Sequence, residues 1–171
     1  MTLPEKSIAL LAHSQRTRDL GPLRDPDWII FGLNNVHRFI PPGHLWMQIH
    51  TPEYLAAHPA YSKEDLRYYE TISIPLFSQR HFPQWPTSFP MPLGLRHEWP
   101  LRACPEGCTK DTLRHRFPRV PWTSTMAYMM GLSILMIEQG AFPGSLGEKA
   151  KPAPRFGMWG FDTLDDYSVQ G

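Results

Sequence analysis

The feature that most constrains the fold is a series of short apolar runs, each followed by polar residues. Such runs cover Ser7–Ala12, Asp27–Leu33, His44–His50 and, near the end of the chain, Arg155–Asp162. Strands that are buried on both faces are apolar throughout, whereas half-exposed strands alternate. The pattern therefore predicts an α/β domain with a mostly parallel sheet that is covered on both faces.

Proline limits regular structure in the middle of the chain. Nine of the nineteen prolines fall within residues 75–121, where each removes an amide donor and interrupts long elements. We therefore expect an irregular segment over 75–121 inside a single domain that spans residues 1–171. Just before it, Thr71–Leu76 predicts a fourth strand at an edge or a terminus of the sheet, and residues 52–69 are expected to be partly helical.

The clearest helix follows the proline-rich segment. Thr123, Ser124 and Thr125 are N-cap candidates for a helix over residues 126–139, and Gly140 is typical of the residue that ends one. The methionines of this helix favour a buried face over a binding surface, because a thioether-rich core contact explains them without further assumption.

Composition excludes several classes of protein. With 42% hydrophobic and 19% charged residues the chain is expected to fold, and a net charge of +1 gives no bulk attraction to nucleic acid or to an anionic membrane. The longest uncharged stretch has about 12 strongly apolar residues where a membrane span needs about 20. Two cysteines and the lack of a signal-like start favour the cytoplasm.

Position in a parallel sheet selects the candidate site residues. Ligands of such sheets bind beyond the carboxyl ends of the strands, and a helix N-terminus there favours an anion. The polar residues expected at these positions are His13, Ser14, Gln15, Asn34, Asn35, Thr123, Ser124, Thr125 and Asp162. Each also has a structural alternative, because hydroxyls cap helices and asparagines shape turns.

Two histidines are candidate general bases. His37 and His50 each end an apolar element, where a neutral imidazole suits proton transfer, although a single histidine is more often a structural hydrogen-bonding group. The chain contains no GxGxxG, GxxxxGK[ST], GxSxG or HExxH motif. The standard dinucleotide, Walker A, hydrolase-elbow and zinc-protease sites are therefore excluded.

One candidate metal site and one basic region remain to be considered as functional features. His97, Cys104, Cys108 and His115 have the ligand types that zinc accepts, but such a grouping also arises by chance in a chain with eight histidines, so we expect no metal. Arginines interleaved with aromatic residues in the same region suit a single-stranded nucleic acid. The near-zero net charge favours solvated loop arginines instead.

Four segments, taken in order, carry a family resemblance. They are Ser7–Ser14, Gly32–Asn35, Thr123–Met129 and Met158–Asp162. In this order the chain resembles the Rossmann-like family that includes bacterial CMP-dependent sialyltransferases and 6-hydroxymethylpterin diphosphokinase-like domains, and it looks like small phage proteins with the same pattern. The resemblance implies a Rossmann-like three-layer domain.

The resemblance also implies roles for individual residues. It assigns nucleotide contacts to Ser14, to Asn34 or Asn35, to Thr123, Ser124 and Thr125, and to Gly160 and Asp162. The expected function is a nucleotide or nucleotide-sugar binding protein, with a small glycosyltransferase that uses His50 or His37 as base as its catalytic form. The alternatives are a non-catalytic phage-type protein that sequesters a nucleotide signal in the host cytoplasm, and a zinc-pinned interaction module.

Overall fold

The apolar runs form the strands of one sheet. A computed structural model of the chain describes residues 5–90, 125–139 and 151–161. The strands are β1 (Glu5–Leu11), β2 (Trp28–Leu33), β3 (Leu45–Met47), β4 (Leu76–Ser78), β5 (Ser88–Pro90) and β6 (Lys151–Trp159). The helices are α1 (Gln15–Arg18), a 3₁₀ segment (Asn34–Arg38), α2 (Pro52–Ala57), α3 (Lys63–Thr71) and α4 (Thr125–Gln139).

All neighbouring strands of this sheet are parallel, in the order β5-β4-β3-β2-β1-β6. The chain adds strands in one direction from β1 to β5 and then places β6 on the other side of β1. The strand order therefore reverses at β1, which is the kind of switch point where open α/β sheets form ligand crevices.

The side chains of the strands alternate between two buried layers. On one face, α4 packs on the sheet through buried residues that include Met129, Leu132 and Met136. On the other, the 3₁₀ segment, α2 and α3 contribute Val36, Leu55 and Tyr69. Helices thus cover both faces, and the domain is the Rossmann-like α/β three-layer structure that was predicted.

The predicted fourth strand is displaced along the chain. Residue Thr71 ends α3, which begins with a capping box between Ser62 and Asp65, and β4 starts only at Leu76. The carbonyl of Pro75 accepts a hydrogen bond from the Trp46 amide at 2.9 Å. Because proline cannot donate to a ladder but can accept, it stands immediately before the strand.

The last strand also begins earlier than predicted. β6 starts at Lys151 and includes Pro152 and Pro154, which precede the predicted run from Arg155. Among the described residues β6 pairs only with β1, and the register shifts between Lys6 and Ile8 opposite these prolines. An edge strand with an irregular ladder tolerates proline, because the amide donor that proline lacks would not have made a regular hydrogen bond of the ladder.

The described part of the proline-rich segment contributes to the sheet. Residues 75–90 contain β4 and β5, each three residues long, joined by a turn in which Phe82 and Trp85 form an antiparallel bridge. The prolines do keep these elements short. The segment is nevertheless part of the sheet as far as residue 90, and not an insertion outside it.

Candidate functional site

Asn34 is held in an unusual conformation at the carboxyl end of β2. Its φ is +44°, and among the described residues it is the one non-glycine residue with positive φ. Asparagine tolerates this left-handed region better than most residues, because its short polar side chain can hydrogen-bond locally. The turn that follows β2 is therefore set by a residue whose side chain can also contact a ligand.

A tryptophan from the next strand fixes the Asn34 backbone. The indole N–H of Trp46 donates to the Asn34 carbonyl at 2.9 Å, and the side chain of Trp46 is completely buried. Its ring lies over Gly32, where an added Cβ would come within 2.4 Å of the ring. Gly32 thus makes room for the indole, and the indole holds the conformation of Asn34.

The start of α4 meets the Asn34 side chain. Thr125, the first residue of α4, donates from Oγ1 to Asn34 Oδ1 at 3.4 Å, across 91 positions of sequence. Thr125 is buried and Asn34 is half-buried. Two of the predicted ligand-binding residues, which come from separate elements, are therefore brought together at the carboxyl edge.

A second pair of predicted residues meets at the switch point between β1 and β6. The Ser14 amide donates to the Gly160 carbonyl at 3.0 Å, and the Gly160 amide donates to Thr17 Oγ1 at 2.9 Å. Gly160 has φ +78°, and a Cβ there would lie 2.4 Å from the Ala12 carbonyl oxygen. These amides bind protein atoms, so the pair ties two loops together and does not offer its N–H groups to a phosphate.

Arg18 stabilises the same contact between the loop after β1 and the end of β6, although the sequence did not indicate this role. Its Nη1 donates to the His13 carbonyl at 2.9 Å, its Nε pairs with Asp19 at 3.0 Å, and its guanidinium lies over the Phe39 ring. The residue is almost completely buried. A buried arginine needs such partners, and here they fix the loop that follows β1.

His37 is occupied by protein partners. Its Nε2 lies 3.0 Å from a carboxylate oxygen of Asp65, its Nδ1 lies 3.4 Å from the Asn34 carbonyl oxygen, and its ring stacks on Tyr68 at 3.9 Å. Burial lowers the pKa of His37 and outweighs the Asn34 carbonyl and the Asp65 carboxylate, which both raise it. This geometry resembles a structural histidine more than a general base.

Asp65 is the centre of this cluster. It also accepts hydrogen bonds from Arg38 Nε at 2.7 Å and from the Ser62 amide at 2.6 Å, and it is only 1% exposed. Although burial raises the pKa of Asp65, the hydrogen bonds from Arg38 and Ser62 outweigh it and lower the pKa to about 2. The carboxylate joins the 3₁₀ segment to α3.

His50 has a more open environment after β3. Its amide donates to the buried Gln48 side chain at 3.0 Å, and its ring stacks on Tyr54 at 4.5 Å, with His58 beyond. No described residue hydrogen-bonds to its imidazole. Burial, followed by the neighbouring His58, lowers the pKa of His50, which favours the neutral ring that a base requires.

The remaining candidates divide into described and undescribed positions. Among the described ones, Gln15 is exposed at the start of α1, and Asn35 and His13 are half-buried. The predicted residues that lie outside the described ranges are Thr123, Ser124, Asp162, His97, Cys104, Cys108 and His115. The proposed zinc set and the end of the last predicted strand are among them.

Two further features are absent from the described residues. Within residues 5–90, 125–139 and 151–161, no group of three or more histidine, cysteine, aspartate or glutamate side chains is arranged to hold a metal ion. In the same part of the chain, no helix has both the length and the apolar character that a membrane crossing requires.

Comparison of the chain with models of protein families, with curated proteins and with solved structures gives no match in any of the three. The resemblance to the sialyltransferase family therefore stays a prediction drawn from sequence motifs. What the structure adds is a Rossmann-like α/β fold with a polar cluster at its carboxyl edge.

Proposed function

We propose that this protein binds a nucleotide or nucleotide sugar at the carboxyl edge of its sheet, between the loop after β2 and the start of α4. The observation that carries the proposal is the contact between Asn34 and Thr125, in which a left-handed asparagine at a strand end meets the first residue of a long helix. Strained residues are retained where they serve a site, and ligands of open α/β sheets bind at this edge.

The position between β2 and α4 is preferred to the switch point itself. Between β1 and β6 the amides of Ser14 and Gly160 are bound to protein atoms. At Asn34, by contrast, no acceptor for the Nδ2 group lies within the described ranges. A half-buried amide with unused donors is suited to bind a ligand.

Mass spectrometry of the small molecules released when the purified protein is denatured tests the ligand class directly. We expect a nucleotide or a nucleotide sugar. Calorimetric titration of the parent protein and of a variant with the ribonucleoside monophosphates and with CMP- and UDP-sugars tests where the ligand binds. Asn34→Gly removes the amide while keeping the backbone conformation accessible, and it is expected to weaken binding at least tenfold.

Gln84→Glu in the β4–β5 loop, an exposed position, is the control for that titration. It is expected to bind as the parent protein does. Asn34→Gly with unchanged affinity would refute the placement of the site, and a protein that binds none of these nucleotides would refute the proposed function.

If the protein transfers the sugar, His50 is the base that its environment favours. The imidazole would take the proton of the acceptor hydroxyl as its oxygen bonds to the sugar, and the broken sugar–phosphate bond would leave its electron pair on the nucleotide. We expect His50→Asn to abolish release of free nucleotide from a bound nucleotide sugar. His37→Asn is expected to lower the melting temperature, because it removes the partner of Asp65.

A non-catalytic protein that sequesters a nucleotide is the second candidate. The observation in its favour is the pairing of His37 with Asp65, which leaves one fewer histidine for chemistry. Nucleotide binding that persists in the His37→Asn/His50→Asn double variant, with no turnover by the parent protein, would support sequestration. Turnover that is lost in His50→Asn with binding retained would support the transferase.

A further inference from the structure

The Asn34 side chain is oriented by its contact with Thr125. A threonine within a helix can donate its hydroxyl to a carbonyl of the preceding turn, but the first residue of a helix has no such turn. The Thr125 hydroxyl donates instead to Asn34 Oδ1 at 3.4 Å. This contact uses the acceptor atom of the amide and leaves its two N–H donors for another partner.

The backbone gives this donor a fixed direction. The Asn34 carbonyl is held by the buried Trp46 indole, and the residue cannot relax to negative φ without breaking that hydrogen bond. A donor that is positioned before binding does not lose conformational freedom when the ligand arrives. The site is thus built to present N–H groups.

The charges near this edge favour the same kind of partner. The segments that directly follow β1 to β4 contain Arg16, Arg18, Arg38 and Arg80, and the carboxylates near them are Asp19, Glu53 and Asp65, the last of which is paired with Arg38. Asp19 is paired with Arg18 at 3.0 Å, and Arg80 lies near enough to Glu53 to lower its pKa, after the larger effects of local hydrogen bonds. Counted together, the four arginines and three carboxylates leave one net positive charge, which favours an anion.

From these contacts we infer that the ligand group bound at Asn34 is a phosphoryl oxygen. The inference rests on the proposed function and specifies it: the phosphate end of the nucleotide lies between β2 and α4, and the sugar and base extend toward β3 and His50. The Asn34 N–H groups donate to an oxygen that only accepts hydrogen bonds. They do not select a hydroxyl of the ribose or of the acceptor sugar, because a hydroxyl also needs a partner that accepts its own hydrogen bond.

Asn34→Asp is the decisive variant. Aspartate also tolerates positive φ and still accepts from Thr125, but it replaces the amide donors with a negatively charged acceptor. Calorimetric titration with pyrophosphate and with CMP is expected to give affinities in the order parent, then Asn34→Gly, then Asn34→Asp, with the last at least a hundredfold weaker than the parent. Gln84→Glu, which changes the net charge equally, is expected to lose less than twofold.

Each result decides a different point. Asn34→Asp that binds these probes as tightly as the parent protein would overturn the inference, since the amide donors would then make no contact with the phosphate. A parent protein that binds cytidine but not pyrophosphate would overturn the inference and leave the proposed function intact. Binding of pyrophosphate but of no nucleotide would support the phosphoryl contact and refute the proposed function.

A second variant keeps the test open if Asn34→Asp does not fold. Thr125→Val preserves shape and removes the hydroxyl that orients the amide. It is expected to weaken pyrophosphate binding several-fold, and circular dichroism should give the spectrum of the parent protein. Unchanged pyrophosphate affinity in folded Thr125→Val would contradict the orientation of the amide on which the inference depends.

Discussion

At the scale of single residues, Asn34 combines a conformational role with a chemical one. Its left-handed backbone is held by a hydrogen bond from the Trp46 indole to its carbonyl, and its side chain accepts a hydrogen bond from Thr125. Sequence position alone identified this residue as a candidate, because it follows a buried strand. Its strain was not predictable, since it arises from a tryptophan on the neighbouring strand.

Alanine and glycine at position 34 separate the two roles. Alanine in the left-handed region costs about 1 kcal/mol, whereas glycine adopts it freely. We therefore expect Asn34→Ala to lower the free energy of unfolding by about 1 kcal/mol more than Asn34→Gly does, as measured by urea denaturation. Equal stabilities of the two variants would show that the backbone relaxes to negative φ.

The buried carboxylate of Asp65 gives a prediction about acid stability. Its folded-state pKa of about 2 lies below the unfolded value, so its stabilisation is complete above about pH 4 and is lost as the pH falls toward 2. Asp65→Asn should cost about 3 kcal/mol at pH 7, because Arg38 and His37 lose their partner. Urea unfolding at pH 7 and pH 3 should show a smaller difference between the variant and the parent at pH 3, where the carboxyl group is largely protonated in the unfolded chain but still ionised in the folded protein.

Glu64→Gln is the matched control for Asp65→Asn. Glu64 lies beside Asp65 in the first turn of α3 but is exposed. The control is expected to change the free energy of unfolding by less than about 0.5 kcal/mol, as surface substitutions usually do. A comparable loss in both variants would assign the effect to the helix N-terminus and not to the buried ion pair.

At the scale of elements, the junction of β2 and β3 links the core to the candidate site. Gly32 lies opposite Trp46 in the parallel register, and the Trp46 ring occupies the space that a side chain at position 32 would take. The same ring supports Asn34 through its N–H group. A change in packing at this junction should therefore reach the site.

Gly32→Ala tests that link. The added methyl overlaps a completely buried ring, and overpacking of this kind costs about 2 kcal/mol. We expect lower stability in urea together with weaker nucleotide binding, because the indole must leave the Asn34 carbonyl. Weaker stability with unchanged affinity would mean that the core accommodates the methyl without moving the indole.

The elements were predictable to different extents. The apolar runs of β1 and β2 lie within a few residues of their predicted positions because burial determines them, and the apolar helix α4 does so because hydroxyl caps and a glycine stop bound it in the sequence. β4 and β6 were misplaced, since their bounds depend on where a neighbouring strand offers a partner. Asp65 was missed as a cluster residue because Arg38, its partner, lies 27 positions away in the sequence.

At the scale of the whole molecule, three half-buried histidines should make stability depend on pH. Burial lowers the pKa of His37, of His44 and of His50 below the usual value. Because the unfolded chain takes up protons first, the stabilisation is present above about pH 6.5 and is lost as the pH falls below it. The melting temperature is therefore expected to fall between pH 7 and pH 5.

His44→Asn isolates one contribution to this pH dependence. The Ile30 amide donates to His44 Nδ1 at 3.0 Å, and a protonated ring could no longer accept it. An asparagine Oδ1 can accept in its place and does not titrate. We expect the variant to lose less stability than the parent between pH 7 and pH 5, and an identical pH profile would contradict a titrating role for His44.

The pairing of β1 with β6 has a consequence for how the molecule acquires its structure. Leu11 in β1 lies beside Trp159 in β6, so this contact requires two segments that are 148 positions apart in the sequence. Until synthesis reaches β6, β1 has an open edge capable of aberrant pairing with other chains. The sheet can therefore be completed only after β6 has been synthesised, and nascent chains that stall before β6 are candidates for chaperone capture.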